Sequence, residues 1–142
     1  MRDEDWARRT SSRLPRGNEV CVPGSSTLAD AIREGYRFNL PLRRVRGAHG
    51  SEPLVELEEG SVVVEAVKLA HDESGDLIVR CYESLGARTR TTLRVGVPTD
   101  RVAVTDLLER PVGDPLDVNE GRIHLELRPF QIVTLRVPTT GR

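Results

Sequence analysis

The chain has 142 residues, of which 37% are hydrophobic and 30% charged, a balance typical of one globular domain rather than a disordered protein. Its 21 basic and 22 acidic residues give a net charge of -1, so no long-range field would attract a polyanion, and we expect no nucleic-acid partner. No apolar run approaches the roughly 20 residues of a membrane span, and the amino terminus lacks the hydrophobic stretch of a secretory signal. A complete gene product with this sequence would therefore be cytoplasmic, without a membrane partner.

The first 25 residues differ in character from the rest of the chain. They are polar and rich in arginine, and prolines and glycines interrupt them without any hydrophobic periodicity. We predict that residues 1–25 are a flexible or truncated lead-in and that residues 26–142 form one domain. The two cysteines, Cys21 and Cys81, lie far apart in unlike contexts, which favours idle thiols over a disulfide.

A short helix followed by a strand is predicted at the start of the domain. Ser26 or Thr27 can cap the helix, and Asp30 can reach back as the acidic partner of a capping box. Gly35 supplies a stop signal. Residues Tyr36–Leu40 then alternate between apolar and polar side chains and end at a proline, which predicts a strand.

The rest of the chain has the pattern of an all-β protein. Apolar residues recur at every second position, or continuously over short stretches, and turn signals separate these stretches about every 8 to 12 residues. We therefore predict an all-β fold, an antiparallel β-sandwich with one short N-terminal helix. The predicted strands are Val62–Leu69, Leu77–Glu83, Thr91–Val97, Arg101–Leu108, Arg122–Arg128 and Gln131–Val137.

Two of these strands are predicted to pair as a β-hairpin. Leu77–Glu83 is apolar on both faces, as in a strand from the middle of a sheet, whereas Thr91–Val97 has one apolar and one polar face. The break at residues 84–87 would be the turn between them.

A search for catalytic and metal-binding motifs selects no site. The histidines, His49, His71 and His124, are scattered, and neither CxxC nor HExxH occurs. The acidic turn over residues 72–76 lacks the ligand pattern of a calcium loop, so we expect it to be solvated. GxSxG and a glycine-rich phosphate loop are also absent.

Aromatic side chains are the remaining lead for ligand binding, because rings can form apolar platforms for sugars. The predicted strand places Tyr36 and Phe38 on the same side, which makes them candidates for glycan contact. Packing in the core explains the same pair more simply.

Several segments, in order and spacing, carry a resemblance to a known family. They are Val62–Lys68, Leu77–Gly86, Thr105–Arg110 and Leu127–Leu135, with Gly35–Leu42 upstream. Together they resemble the carboxyl-terminal β-sandwich of family 38 glycoside hydrolases, the α-mannosidases. The similarity extends over roughly residues 35 to 137.

The resemblance implies a domain role within a larger enzyme. In that family the zinc site and the carboxylate nucleophile belong to an amino-terminal catalytic domain, and no motif that carries them is present here. We therefore expect no cofactor in this chain, zinc in the missing catalytic domain, and that catalytic domain as the partner. The isolated chain should be inactive, and the parent enzyme should hydrolyse α-mannosides.

The resemblance also implies structural or domain-contact roles for particular charged residues. Arg80 and Glu83 match the charged positions of an R-x-Y-E motif in the family. Because Arg80 lies between apolar neighbours in a predicted central strand, we expect it to need an acidic partner, with Glu83 and Glu109 as candidates. Two alternatives remain open, a free-standing carbohydrate-binding module and a protein-interaction sandwich.

Overall fold

The computed structural model describes residues 27–40, 46–47, 50, 52–58 and 60–139. The chain divides into two units, Met1–Arg44 and Val45–Arg142. In the described residues, the first unit contains a helix and the second contains eight strands. No helix in these ranges is both long and apolar enough to span a bilayer.

Helix α1 spans Leu28–Asn39 and begins at the predicted capping box. The Asp30 backbone N–H donates to the Thr27 hydroxyl at 3.2 Å, and the Thr27 backbone N–H donates to the Asp30 carboxylate at 3.0 Å. Each side chain thereby satisfies a backbone donor that the first turn leaves free. The predicted start of the helix is confirmed.

The predicted end of the helix and the predicted strand Tyr36–Leu40 are wrong. The helix continues through Gly35, and the Leu40 N–H still donates to the Tyr36 carbonyl at 2.8 Å. An ion pair between Arg37 and Glu34, one helical turn apart, stabilises this last part. Residues two apart on a helix are about 200° apart around its axis, so Tyr36 and Phe38 do not share a side.

The second unit consists of two antiparallel sheets, as predicted. The order in the three-stranded sheet is β1-β4-β7, and the order in the five-stranded sheet is β2-β3-β8-β5-β6. The strands are β1 Val55–Leu57, β2 Val62–Leu69, β3 Leu77–Glu83, β4 Thr89–Val95, β5 Arg101–Thr105, β6 Leu116–Asp117, β7 Arg122–Leu127 and β8 Ile132–Val137. The strands β1 and β6 are too short to show a period in the sequence.

The predicted hairpin is wrong, because β3 and β4 belong to different sheets. Strand β3 pairs with β2 and β8, while β4 pairs with β1 and β7. The connection over residues 84–88 therefore passes from one sheet to the other. The prediction that β3 lies inside a sheet and is buried on both faces is confirmed for most of its length.

Strand β5 is shorter than predicted, ending at Thr105 rather than Leu108. The Asp106 carboxylate accepts hydrogen bonds from the backbone N–H groups of Leu108 and Arg110, both at 2.9 Å. These local bonds compete with strand pairing and turn the chain, as aspartate commonly does.

The core lies between the sheets and takes alternate residues from each strand, as a period of two requires. It includes Leu77, Val79 and Cys81 of β3, Leu93 and Val95 of β4, Ile123, Leu125 and Leu127 of β7, and Leu135 and Val137 of β8. Cys81 is a buried, free thiol. Burial raises the pKa of this thiol to about 11, which keeps it protonated and unreactive near neutral pH. Cys21 and residues 1–25 lie outside the described residues.

Candidate functional site

Glu83, at the end of β3, is a fully buried carboxylate that joins three segments. It accepts hydrogen bonds from the Ser61 hydroxyl at 2.6 Å, and from the backbone N–H groups of Leu85 at 2.9 Å, Gly86 at 2.8 Å and Phe130 at 3.0 Å. The segments lie just before β2, in the connection from β3 to β4, and in the turn before β8. Glu83 therefore fixes the positions of loops at one end of the sandwich.

The hydrogen bonds decide the charge of Glu83. Burial by itself raises the pKa of its carboxyl group. The hydrogen bonds from the Phe130 N–H, the Ser61 hydroxyl and the other two N–H groups have the larger, opposite effect, and the pKa is lowered to about 2. The carboxylate is ionised at neutral pH, and its bonds go to its own chain.

A signal for the burial of Glu83 was present in the sequence. Alternation along β3 places Glu83 on the same face as Leu77, Val79 and Cys81, all of which lie in the core. A carboxylate at such a position needs several donors, and the glycine-containing loop that follows supplies two of them as backbone N–H groups.

Arg80 does not pair with either of the acids expected for it. Its Nε donates to the Thr134 hydroxyl at 3.2 Å, and a terminal nitrogen donates to the Leu107 carbonyl at 3.4 Å. Glu83 is three residues away on the same strand and so points to the opposite face. Glu109, the other candidate, binds different groups. Neither of these described acids forms an ion pair with the guanidinium, so this expectation was wrong.

Glu109 belongs to residues 106–110, which we call the strap. Its carboxylate accepts a hydrogen bond from the His71 backbone N–H at 2.7 Å and forms an ion pair with the Lys68 ammonium. The His71 N–H, followed by Lys68, holds the pKa of Glu109 below its usual range. Glu109 has a φ of 66°, which is uncommon for a residue with a side chain.

The strap is a loop that returns to β5, because the Asp106 N–H donates to the Arg110 carbonyl and Thr105 bridges Pro111, and its contacts reach over the outer face of the five-stranded sheet. It follows β5, yet Glu109 binds Lys68 of β2, and β8 and β3 lie between these two strands. The bond from Arg80 of β3 to the Leu107 carbonyl fixes the strap between its ends. The strap thus links β5 to β2 and β3, two strands that do not pair with β5.

Large apolar side chains are exposed on and beside the strap. Leu107 is 61% exposed and Leu108 is 69% exposed. Ile132, 53% exposed, lies on the outer face of β8 opposite Tyr82. An apolar surface of this kind commonly marks a contact with another protein segment.

The outer face of the three-stranded sheet has the opposite character. Its arginines pair with acids of the same sheet or its loops. A shallow concavity on this face is lined by Glu56, Glu58, Arg90, Thr91, Thr92, Arg94 and Arg122. The pairs are Arg94 with Glu56 at 3.5 Å, Arg122 with Glu58 at 2.9 Å, and Arg90 with Glu126 at 3.3 Å. Within the described residues, no Phe, Tyr or Trp side chain lines the concavity.

The predicted acidic turn is bound to an arginine rather than simply solvated. Arg136 of β8 donates to Asp76 and to Asp72, both at 2.7 Å, and to the Ser74 hydroxyl at 2.9 Å. Arg136 and then Ser74 lower the pKa of Asp72 to about 2. This pairing could not be predicted from the sequence, because the partners are 60 to 64 residues apart. No group of three or more His, Cys, Asp or Glu side chains in the described ranges is placed to hold a metal ion.

Comparison with known proteins identifies the family. The model of the glycosyl hydrolases family 38 C-terminal beta sandwich domain matches residues 61–135, more than half of the chain. The chain belongs to this family. Human alpha-mannosidase 2C1 is 31% identical over 121 residues, an alignment that covers 79% of this chain and 11% of that protein. The chain thus spans about a tenth of the length of this relative.

The family match confirms the resemblance described from the sequence. The four segments from β2 to β8 lie within the matched residues, whereas the upstream segment Gly35–Leu42 lies outside them. Arg80, Glu83 and Glu109 all fall within the match, and their role in domain contact stays a prediction. Glycan contact by Tyr36 and Phe38 is also untested, although the helix removes the shared face on which that hypothesis rested.

Proposed function

We propose that this chain is the non-catalytic C-terminal β-sandwich of an α-mannosidase and that it packs on a catalytic domain outside this chain. The parent activity would be the hydrolysis of α-mannosides. The observation that supports the proposal most directly is the family match over residues 61–135, together with a relative of which this chain covers only 11%.

The electrostatics of the described carboxylates support a structural role. The pKa values of Asp30, Asp72, Glu83 and Glu109 are all lowered, in each case by hydrogen bonds or ion pairs within the chain. A general acid in glycoside hydrolysis needs a pKa raised toward the working pH. These four carboxylates have lowered rather than raised pKa values; Asp30 caps helix α1, and the other three bind loops and strands.

Zinc would belong to the catalytic domain in this proposal. The family resemblance implies a metal in that domain, and the histidines described in this chain, His71 and His124, lie in a turn and on β7. The cytoplasmic location remains a prediction from the sequence.

Co-expression tests the proposal. The 142-residue chain is purified alone and together with a tagged family 38 catalytic polypeptide from the same source, and each preparation is assayed with an aryl α-mannoside and zinc. We expect no turnover from the chain alone, and co-purification with activity from the pair. Turnover by the chain alone would contradict a non-catalytic role. Saturable binding of mannose oligosaccharides by the isolated chain would favour the carbohydrate-binding alternative.

A further inference from the structure

The strap holds two exposed leucines in a fixed position. Leu107 and Leu108 would be expected to turn toward the sheet if the strap served only to cover it, because removing a leucine side chain from water is favourable. They remain 61% and 69% exposed. The fold therefore presents apolar groups where burial within the described chain is incomplete.

Polar contacts on both sides of the leucines prevent the strap from rearranging. The Asp106 carboxylate binds the backbone N–H groups of Leu108 and Arg110, and the Asp106 N–H donates to the Arg110 carbonyl at 2.9 Å. Glu109 binds β2 and the following turn through Lys68 and the His71 N–H. A surface ordered in advance loses less conformational entropy when it binds.

The two outer faces of the sandwich differ in a way that selects the docking side. Docking on the three-stranded sheet would desolvate a row of ion pairs that are already satisfied, at a cost that new contacts have to recover. Docking on the strap side would bury Leu107, Leu108 and Ile132, and the arginine that forms ion pairs on that side, Arg136, is already largely covered by the chain, at 21% exposed. The apolar side is therefore favoured.

The chemistry of the strap also selects the kind of partner. Leucine side chains offer neither hydrogen-bonding groups nor aromatic faces, so a sugar has little to bind there. A partner of protein chemistry fits, and the relative has about nine tenths of its length outside the aligned region. Domains within one protein commonly share interfaces of about 600–1,500 Å².

We infer that Leu107 and Leu108 on the strap are the anchors by which this domain docks on the rest of an α-mannosidase. The inference rests on the proposed function and adds the docking surface. Arg80 and Glu109 act as positioning residues, because Arg80 binds the Leu107 carbonyl and the Glu109 carboxylate binds Lys68 and the His71 N–H.

The affinity of the full chain for the tagged family 38 catalytic polypeptide, measured by titration calorimetry, tests this inference. We expect the double variant Leu107→Ser, Leu108→Ser to bind at least about tenfold more weakly than the unchanged chain. The control is Leu54→Ser, at a half-exposed leucine just before β1 of the other sheet, which should change the affinity less than about twofold. Thermal unfolding of each variant checks that the fold is retained.

A second variant tests the positioning by the strap. Glu109→Ala keeps both leucines but removes the bonds to Lys68 and His71, so we expect a loss of affinity between those of the control and the double variant. Glu120→Ala, at an exposed acid in the turn before β7, is the matched control.

The outcomes separate the two proposals. If the unchanged chain does not bind the catalytic polypeptide, the proposed function fails. If it binds and the double leucine variant binds equally well, the function stands and the docking surface is wrong. If the double variant instead turns a dimeric chain into a monomer in sedimentation, with unchanged affinity for the catalytic polypeptide, a second copy occupies the strap and the inference is overturned.

Discussion

Replacement of Gly86 by alanine tests how the loop at the end of β3 is built. Gly86 has a φ of +77°, and a Cβ added there would lie 2.7 Å from Cζ of the Phe130 ring. Two separate costs therefore follow, one from the backbone and one from the ring. The backbone cost is about 1–2 kcal/mol, as for any residue with a side chain in the left-handed region.

The ring cost follows from the exposure of Phe130. Carbon atoms prefer separations of about 3.5–4.0 Å, so the ring must move by roughly 1 Å or turn into solvent. Since the ring is 69% exposed, only about a third of a side chain of roughly 200 Å² is buried. At about 25 cal/mol per Å², its full release costs at most about 1.5 kcal/mol. Gly86→Ala should therefore lower the free energy of unfolding by about 2–3 kcal/mol.

Urea unfolding followed by far-ultraviolet circular dichroism measures this change. Gly113→Ala is the matched control, because Gly113 has a φ of +74° and nothing within 4 Å of an added Cβ. It should show the backbone cost alone. In a Phe130→Ala background, Gly86→Ala should likewise fall to that cost. If Gly86→Ala costs no more than Gly113→Ala, the ring does not resist the new methyl group and the reasoning is refuted.

Three further predictions concern the buried groups. The pKa of Glu83 is lowered to about 2 in the folded chain, so its stabilising contribution is present above the unfolded pKa near 4.5 and is lost as the pH falls toward 2. The urea midpoint of the unchanged chain should therefore decline over this range. The decline should be less steep in Glu83→Gln than in a Glu120→Gln control. In a Cys21→Ser variant, Cys81 should resist thiol reagents until urea unfolds the chain, and fast labelling of the native protein would contradict its burial. Leu135→Ala should cost about 2–5 kcal/mol in the same unfolding assay, because the side chain is fully buried; a cost below about 1 kcal/mol would place it outside the core.

The sequence predicted which residues of a strand face the core better than it predicted which strands pair. In β7, apolar residues alternate strictly with polar ones, and the structure buries all three of them, Ile123, Leu125 and Leu127. Alternation describes one strand at a time, so it cannot distinguish a hairpin from a connection between sheets. Residues 84–88 could have formed either, and in the structure they pass from one sheet to the other while Glu83 binds the N–H groups of Leu85 and Gly86.

The failure at the helix has a related cause. Tyr36, Phe38 and Leu40 are apolar residues at every second position, which fits a strand with one buried face. The same three residues also fit a helix if they need not all be buried, and in the structure Phe38 and Leu40 are exposed. The capping box at Thr27 and Asp30 and the ion pairs along the helix outweighed one internal glycine. A glycine four or more residues from a predicted start is weak evidence for a helix end.

The two carboxylates at the centre of the candidate site hold loops rather than strands. Backbone pairing and apolar burial already hold the strands together, and both persist when a carboxylate gains a proton. The Gly86 loop depends on Glu83, and the strap depends on Glu109, through hydrogen bonds that need the ionised form. The hold on these loops should therefore weaken as the pH falls toward the lowered pKa values of the two carboxylates, whereas apolar burial between the sheets does not titrate. Since the strap carries Leu107 and Leu108, the affinity of the docking surface should fall with the pH as Glu109 gains a proton.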